Sequence, residues 1–341
     1  MNYKKIIITI LSSLFLANAA SPVAKEDAAN PEALISRARL QEEIWAAGTP
    51  PTLMRAELQV TDAKGNLVSG DYTFTWVSPS QWREVIRVGS YERLRVRDAK
   101  GYWQKSTLSY QPEIIFYVDT MLHVKDAVKV GSKQTLGKVK NREESGVRQQ
   151  CTEVRWAWGT ERIMCFNQAN GVLVSIEYPT SHSTHFPPQI SRIEYGAFNG
   201  LEGKLVPHEI RSLKNGKVIV ALKVLEIAKI TEENSALFNV PLNAEFWSHC
   251  DDMQEAEIVD RVQPIYPAGA RTDREQGRVI LYVVIEEDGS TSHMTIIHRA
   301  TPDLEAAAVE AVRHWRYKPA ACGQTPIRVE TSIAVDFWLQ Y

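Results

Sequence analysis

The segment of residues 262–341 constrains the fold more than any other part of the chain. It opens on Pro-X-Tyr-Pro-Ala at residues 264–268, where two prolines force an extended backbone. The elements predicted after it are a strand over residues 277–285, a turn at residues 287–289, a second strand that ends at His298, a helix that opens at Asp303 and a final strand over residues 327–339. Strands on both sides of one helix predict a small two-layer α/β module.

This order of motifs resembles the C-terminal domain of the TonB family of energy transducers. The resemblance rests on the Pro-X-Tyr-Pro-Ala entry, the Glu287-Asp288-Gly289 turn, the alanine-rich helix and the Trp-Arg-Tyr-Lys-Pro-Ala stretch at residues 315–320. It covers residues 260–341, about a quarter of the chain. The resemblance implies that this domain captures an extended segment of an outer-membrane transporter by adding it as a strand to the edge of its sheet.

The final strand is the predicted partner-binding edge. Its residues are Thr331, Ser332, Ile333, Ala334, Val335, Asp336 and Phe337. The residues with odd numbers are expected to pack on the helix, and those with even numbers to face away. No Pro or Lys protects the run from pairing. The alternative is that the strand is central, or that it pairs with a second copy of the module, which would make a homo-oligomer.

The rest of the chain reads as one β-rich module between two shorter segments. Residues 20–50 form a lead segment with a short helix, residues 51–230 the β-rich module and residues 231–259 a polar, acidic linker. Runs in which polar and apolar residues alternate, separated by turn residues, predict antiparallel strands with one solvent-exposed face and one buried face. One interruption, residues 112–122, is predicted as either a helix or an inserted loop. The fold class is therefore α+β.

The β-rich module has a second, shorter resemblance. A strand, a turn that contains proline, and a strand that starts with an aromatic and a basic residue resemble the periplasmic lipoprotein-carrier fold, and the matching residues are Trp76, Pro79, Trp82 and Arg83. The resemblance implies an unclosed barrel around an apolar cavity, which would carry a lipid or an acyl chain. The alternative is a curved sheet whose aromatic residues fill its own core.

The start of the chain predicts export. Lys4 and Lys5 precede a short apolar run, and Ala17-Asn18-Ala19 offers the small residues that a signal peptidase needs. We expect residues 1–19 to be a signal peptide and the mature protein to be periplasmic. The alternative is a retained anchor, which would make the chain a TonB-like energy transducer.

Four cysteines in an exported chain favour disulfides. Of the three possible connectivities, Cys151–Cys165 and Cys250–Cys322 need the shortest reach, because a polar turn separates the first two and the second pair flanks the C-terminal module. A zinc site is the alternative, although no Cys-X-X-Cys spacing supports it.

The function predicted from these patterns is binding and not catalysis. The chain has no Gly-X-Ser-X-Gly, His-Glu-X-X-His or phosphate-binding glycine loop, and we predict no cofactor and no metal site. Charge is balanced, with 39 Lys and Arg against 41 Asp and Glu, so a nucleic-acid partner is not expected. The expected partner is an envelope protein or peptide, with an outer-membrane transporter as one candidate and an apolar ligand of the first module as another.

Overall fold

The computed structural model of the protein describes residues 30–42, 44–62, 64–122, 130–131, 134–156, 159–180, 189–230, 235–248, 250 and 253–339. A large antiparallel sheet whose ends do not meet is followed by a small sheet covered by one helix. The predicted α+β fold class, with a β-rich first module and a small two-layer second module, is confirmed. The expected signal peptide, residues 1–19, lies outside the described residues.

In the described residues, the first module consists of one large sheet, two α-helices and a short 3-10 helix at Ser235–Phe238. Helix α1 spans Pro31–Glu42 and helix α2 spans Glu113–Leu122. The strands are β1 (Thr52–Thr61), β2 (Leu67–Ser78), β3 (Gln81–Val88), β4 (Tyr91–Arg97), β5 (Gly101–Ser106), β6 (Thr135–Leu136), β7 (Lys140–Glu144), β8 (Val147–Trp156), β9 (Gly159–Asn167), β10 (Leu173–Thr180), β11 (Gln189–Leu201), β12 (Lys204–Lys214), β13 (Lys217–Lys229) and β14 (Glu245–Ser248). The segment for which the sequence left helix and loop open is therefore helix α2.

The strand order shows how the chain builds this sheet. It runs β14-β5-β4-β3-β2-β1-β13-β12-β11-β10-β9-β8-β6, with β7 paired to β8. Most neighbours are consecutive, as expected for hairpins, and the long-range pair β1–β13 joins the two halves. Asn215 and Gly216, with φ values of 51° and 76°, form the tight turn between β12 and β13, a conformation that Asn and Gly adopt most readily.

Both helices lie against the same apolar face of the sheet. Along β1 every second residue is buried, including Met54, Ala56 and Leu58. These side chains share one core with Leu34 of α1 and with Ile115, Val118 and Met121 of α2. The helices therefore occupy the apolar side where the sequence predicted a ligand cavity.

The second module begins inside the segment expected to be a linker. Its elements are β15 (Met253–Gln254), β16 (Glu257–Asp260), α3 (Ala268–Thr272), β17 (Gly277–Ile285), β18 (Thr291–His298), α4 (Pro302–Arg313), β19 (Arg316–Lys318), β20 (Ala320–Cys322), β21 (Thr325–Ile327) and β22 (Val329–Phe337). Strand β15 and all but the last residue of β16 come from residues 231–259, as does β14, which extends the large sheet. That segment therefore contributes strands to both modules.

The central sheet of the second module has the order β18-β17-β22. One face carries Val279, Leu281 and Val283, which pack under Leu304 and Val312 of α4. Tyr282 and Val284, on the opposite face, pack against Trp247 of β14 and against Tyr102, Tyr110 and Phe116 of the first module. The small sheet thus lies between its own helix and the end of the large sheet.

Candidate functional site

The candidate site is built around β22, an edge strand of the small sheet. β22 pairs with β17 in an unbroken antiparallel register from Val329–Ile285 to Phe337–Gly277, and among the described residues it has no strand partner on its other side. Ile333, Val335 and Phe337 are buried under α4, whereas the even-numbered residues Ser332, Ala334 and Asp336 are exposed. This alternation agrees with the faces assigned from the sequence.

A groove follows the first two thirds of this strand. Its volume is about 530 Å³, within the range of small ligand sites. Residues 329–334 of β22 and Ile285 of β17 form one side. The remaining lining residues are Met253, Glu255, Ala256, Arg261, Trp315, Tyr317 and Ala320. The groove is thus an open strand edge with a second wall, a shape that suits an extended chain segment.

Short strands and a disulfide hold this second wall. β15 pairs with β20, and the Cys250–Cys322 disulfide, with 5.8 Å between the two Cα atoms, ties the start of this wall to β20. β16 pairs with β19. The other disulfide, Cys151–Cys165, joins directly opposed residues of β8 and β9 in the first module. Both bonds have the pairing expected from the sequence.

An arginine stacked on a tryptophan forms part of the wall. The indole Nε1 of Trp315 donates a hydrogen bond of 2.8 Å to the carbonyl of Val262. This bond holds the ring close to Arg261, the residue that precedes Val262. The guanidinium of Arg261 lies over this ring, 4.9 Å from its centre. The Arg261 side chain is exposed, and within the described part of the chain it forms no salt bridge.

Glu330 connects the groove to the first module. Its Oε1 accepts hydrogen bonds from Tyr282 Oη at 3.0 Å and from Gln104 Nε2 at 3.1 Å. Its Oε2 lies 3.7 Å from Nη2 of Arg95 on β4. Burial, and after it the Glu330 carboxylate, raises the pKa of Tyr282, so the phenol stays protonated and can donate this hydrogen bond.

Behind Glu330 lies a buried charge cluster. Arg93 is fully buried and donates to both carboxylate oxygens of Asp119 on α2, at 2.6 and 2.8 Å, and to Glu84 at 2.9 Å. Arg95 lies 3.7 Å from Asp119. Burial by itself would lower the pKa of Arg93, but Asp119 and Glu84 outweigh it and hold that pKa well above its usual value. The Arg93 guanidinium therefore stays charged, and the cluster links β22 to the first module's helix α2 through Arg95 and Asp119.

Sequence reasoning located the strand but missed the groove's second wall and the charge cluster. The missed residues are Met253, Glu255, Arg261, Glu330, Arg93, Arg95, Glu84 and Asp119. The Tyr-X-Arg-X-Arg-X-Arg alternation from Tyr91 to Arg97 indicated one polar face of the strand, but it did not show that Arg93 on this face is buried. Glu84 and Asp119, the acidic partners of Arg93, lie on other elements, so local spacing could not reveal these ion pairs.

Neither a metal centre nor a membrane-spanning helix is present among the described residues. No group of three or more His, Cys, Asp or Glu side chains there is arranged to hold a metal ion. No helix in the described ranges is long and apolar enough to cross a membrane.

The fold and the groove define a two-module chain whose second module ends on an open strand edge. Residues 262–339 match the family model of the Gram-negative bacterial TonB protein C-terminal region, which confirms the resemblance seen in the sequence. No curated protein matches the chain in a sequence comparison.

Three solved structures that are similar to the chain each cover about three fifths of it. A putative outer-membrane lipoprotein-sorting protein domain from Vibrio parahaemolyticus is 10% identical, with a TM-score of 0.40, over 60% of this chain and 94% of that one. A LolA superfamily protein from Nitrosomonas europaea is 11% identical, with a TM-score of 0.37, over 61% and 96%. A DUF1329 family protein from Desulfovibrio piger is 8% identical, with a TM-score of 0.41, over 61% and 96%.

Proposed function

We propose that the chain is a non-enzymatic binding or adaptor protein of the cell envelope, and that its second module captures an extended segment of a partner protein at β22. The observation that carries the proposal is the open edge of β22 beside a groove. Main-chain groups along such an edge bind a strand of almost any sequence, while side-chain pockets select among strands.

The partner we propose is an envelope protein with an extended segment, and the match to the TonB C-terminal family makes an outer-membrane transporter the first candidate. A periplasmic location would fit two disulfides, because such bonds persist in oxidising compartments. If the partner is an outer-membrane transporter, the protein would take part in transport. Energy transduction depends on the N-terminal segment, which lies outside the described residues, and stays a hypothesis.

The edge can be tested by blocking it at one exposed position. Ala334→Lys places a charge on the open strand, a substitution that protects edge strands from pairing, and Ala334→Pro removes one backbone donor. With a photo-crosslinking residue at Ser332 in the full chain, we expect both variants to lower the crosslink yield to the envelope partner at least about fivefold, equivalent to roughly 1 kcal/mol.

The matched control is His298→Lys, since His298 is also exposed and lies on β18, the opposite edge of the same sheet. It should leave the crosslink from Ser332 unchanged. An undiminished yield in a folded Ala334→Lys variant would mean that the partner binds elsewhere.

A further inference from the structure

The two disulfides of the chain differ in how far solvent reaches them. Cys151 and Cys165 are 6% and 0% exposed and lie opposite each other on β8 and β9 of the large sheet. Cys250 and Cys322 are both half-buried, and residues 323–326, which follow Cys322, are exposed. A thiolate must reach a sulfur atom to break a disulfide, and exposed disulfides are the labile ones. The Cys250–Cys322 bond is therefore the one that a thiol can attack in the folded protein.

The accessible bond lies beside the groove wall. Cys322 of β20 is the strand partner of Met253 on β15, and Met253 lines the groove. The register between β15 and β20 consists of two residue pairs, so backbone pairing alone holds this part of the wall weakly. The disulfide from Cys250 therefore keeps β15, and with it the lining residues Glu255 and Ala256, against β20.

The rest of the second module has other contacts that hold it together. Its apolar core under α4 contains neither Cys250 nor Cys322. β16 stays paired with β19, which keeps the chain in place from Glu257 onwards. Loss of the bond is thus expected to loosen Cys250 and residues 253–256 locally, without unfolding the module.

We propose that the Cys250–Cys322 disulfide is a site of thiol–disulfide exchange that controls capture at β22. This inference rests on the proposed capture of an extended segment there. With the bond intact, the wall stands opposite β22 and the groove is complete. With the bond reduced, β15 separates from β20, and a captured segment keeps its backbone pairing with β22 but loses part of the opposite wall.

The co-reactant is a dithiol, and the exchange has two steps. One thiolate of the dithiol attacks Sγ of Cys322, the sulfur beside the exposed residues 323–326, which forms a mixed disulfide and releases the Cys250 thiolate. The second thiolate of the dithiol then attacks its own sulfur in the mixed disulfide and releases the Cys322 thiolate. The dithiol ends as a disulfide, and its two electrons and two protons end on the two cysteine thiols. An oxidising compartment reverses the exchange.

Reduction of the folded protein tests whether the bond is accessible. The full chain is treated with dithiothreitol, a small dithiol, alkylated with iodoacetamide after successive times and mapped by mass spectrometry. We expect Cys250 and Cys322 to be alkylated at least about tenfold faster than Cys151 and Cys165, because the second pair is reached only when β8 and β9 open. Equal rates for the two pairs would overturn the proposal.

A probe peptide tests whether reduction changes capture. The probe is a fluorescein-labelled hexapeptide of alternating Thr and Val, about the length of residues 329–334, and its affinity for the full chain is measured by fluorescence anisotropy. We expect reduction to weaken binding about fivefold, because a loosened wall has to be ordered again when the peptide binds. Reoxidation should restore the original affinity.

Variants assign the response to one bond. Cys250→Ser/Cys322→Ser should bind the probe as weakly as the reduced protein, and dithiothreitol should not change its affinity further. The matched control is Cys151→Ala/Cys165→Ala, which removes the buried disulfide and should keep the full response to dithiothreitol. Circular dichroism shows whether each variant, and the reduced protein, remains folded.

The outcomes for this inference and for the proposed function are distinct. An affinity that reduction of the Cys250–Cys322 bond leaves unchanged, or a second module that unfolds on reduction, would overturn the control by thiols and leave edge capture intact. If the oxidised, folded protein bound no probe, edge capture itself would be overturned, and its control by this bond with it.

Discussion

The burial and the ion-pair partners of Arg93 could not be predicted from the sequence. It lies in a strand whose alternation was predicted, yet its side chain is fully buried and reaches Glu84 on the neighbouring strand and Asp119 on α2. Sequence alone favours placing Arg on a wet face, because a buried charge is costly without partners. The partners come from separate elements, so the tertiary arrangement and not local pattern decides where Arg93 points.

The first prediction at this scale concerns the removal of that charge. Arg93→Met leaves the buried Glu84 and the partly buried Asp119 without their main cation, and we expect the free energy of unfolding to fall by about 3–5 kcal/mol. Urea unfolding of the full chain measures this loss of unfolding free energy.

Arg55→Met is the control, because the Arg55–Glu226 ion pair is 59% and 46% exposed and such pairs contribute about 1 kcal/mol or less. If Arg93→Met cost no more than Arg55→Met, the cluster would not stabilise the fold.

At the scale of elements, the long strands and the helix of the second module were predictable, and the short strands were not. The predicted strand over residues 277–285 has the observed bounds, and α4 begins one residue before the predicted Asp303. Their β-branched runs, turn residues and apolar stripe are local signals. β15 and β16 have two and four residues, all of them exposed, and pair with strands more than fifty positions away, so no local periodicity marks them.

Because β15 is so short, we expect the groove wall to depend on the Cys250–Cys322 disulfide. A Cys250→Ser/Cys322→Ser double variant should lose about 2–4 kcal/mol of stability and should also lower the crosslink yield from Ser332 to the envelope partner, since β15 is no longer tied to β20 by the bond. Urea unfolding and the crosslink yield measure the two effects.

The Cys151→Ala/Cys165→Ala double variant separates stability from binding. That bond closes a loop in the first module, and neither cysteine lines the groove, so its removal should lower stability and leave the crosslink yield from Ser332 unchanged. An equal loss of crosslink yield in both double variants would show that the wall is not held by its own disulfide.

For the whole molecule, the sequence predicted two modules but not how they meet. The contact buries Tyr282 and Val284 against Trp247 and includes the hydrogen bond that Gln104 donates to Glu330. The local sequence around each of these residues predicts only the strand to which it belongs. The three-dimensional structure is needed to show that the first module covers the outer face of β17. The first module therefore supports the strand that carries the proposed binding edge.

The last prediction follows from that contact. In an isolated fragment of residues 250–341, Tyr282 and Val284 lose their cover, and burial of one large apolar side chain stabilises by about 1.5–3 kcal/mol. We expect amide hydrogen exchange of residues 279–285 to be at least about tenfold slower in the full chain than in the fragment, a ratio that corresponds to roughly 1.4 kcal/mol. Circular dichroism must first show that the fragment is folded. Equal exchange rates would mean that the first module does not stabilise β17, and that β22 would present the same edge without it.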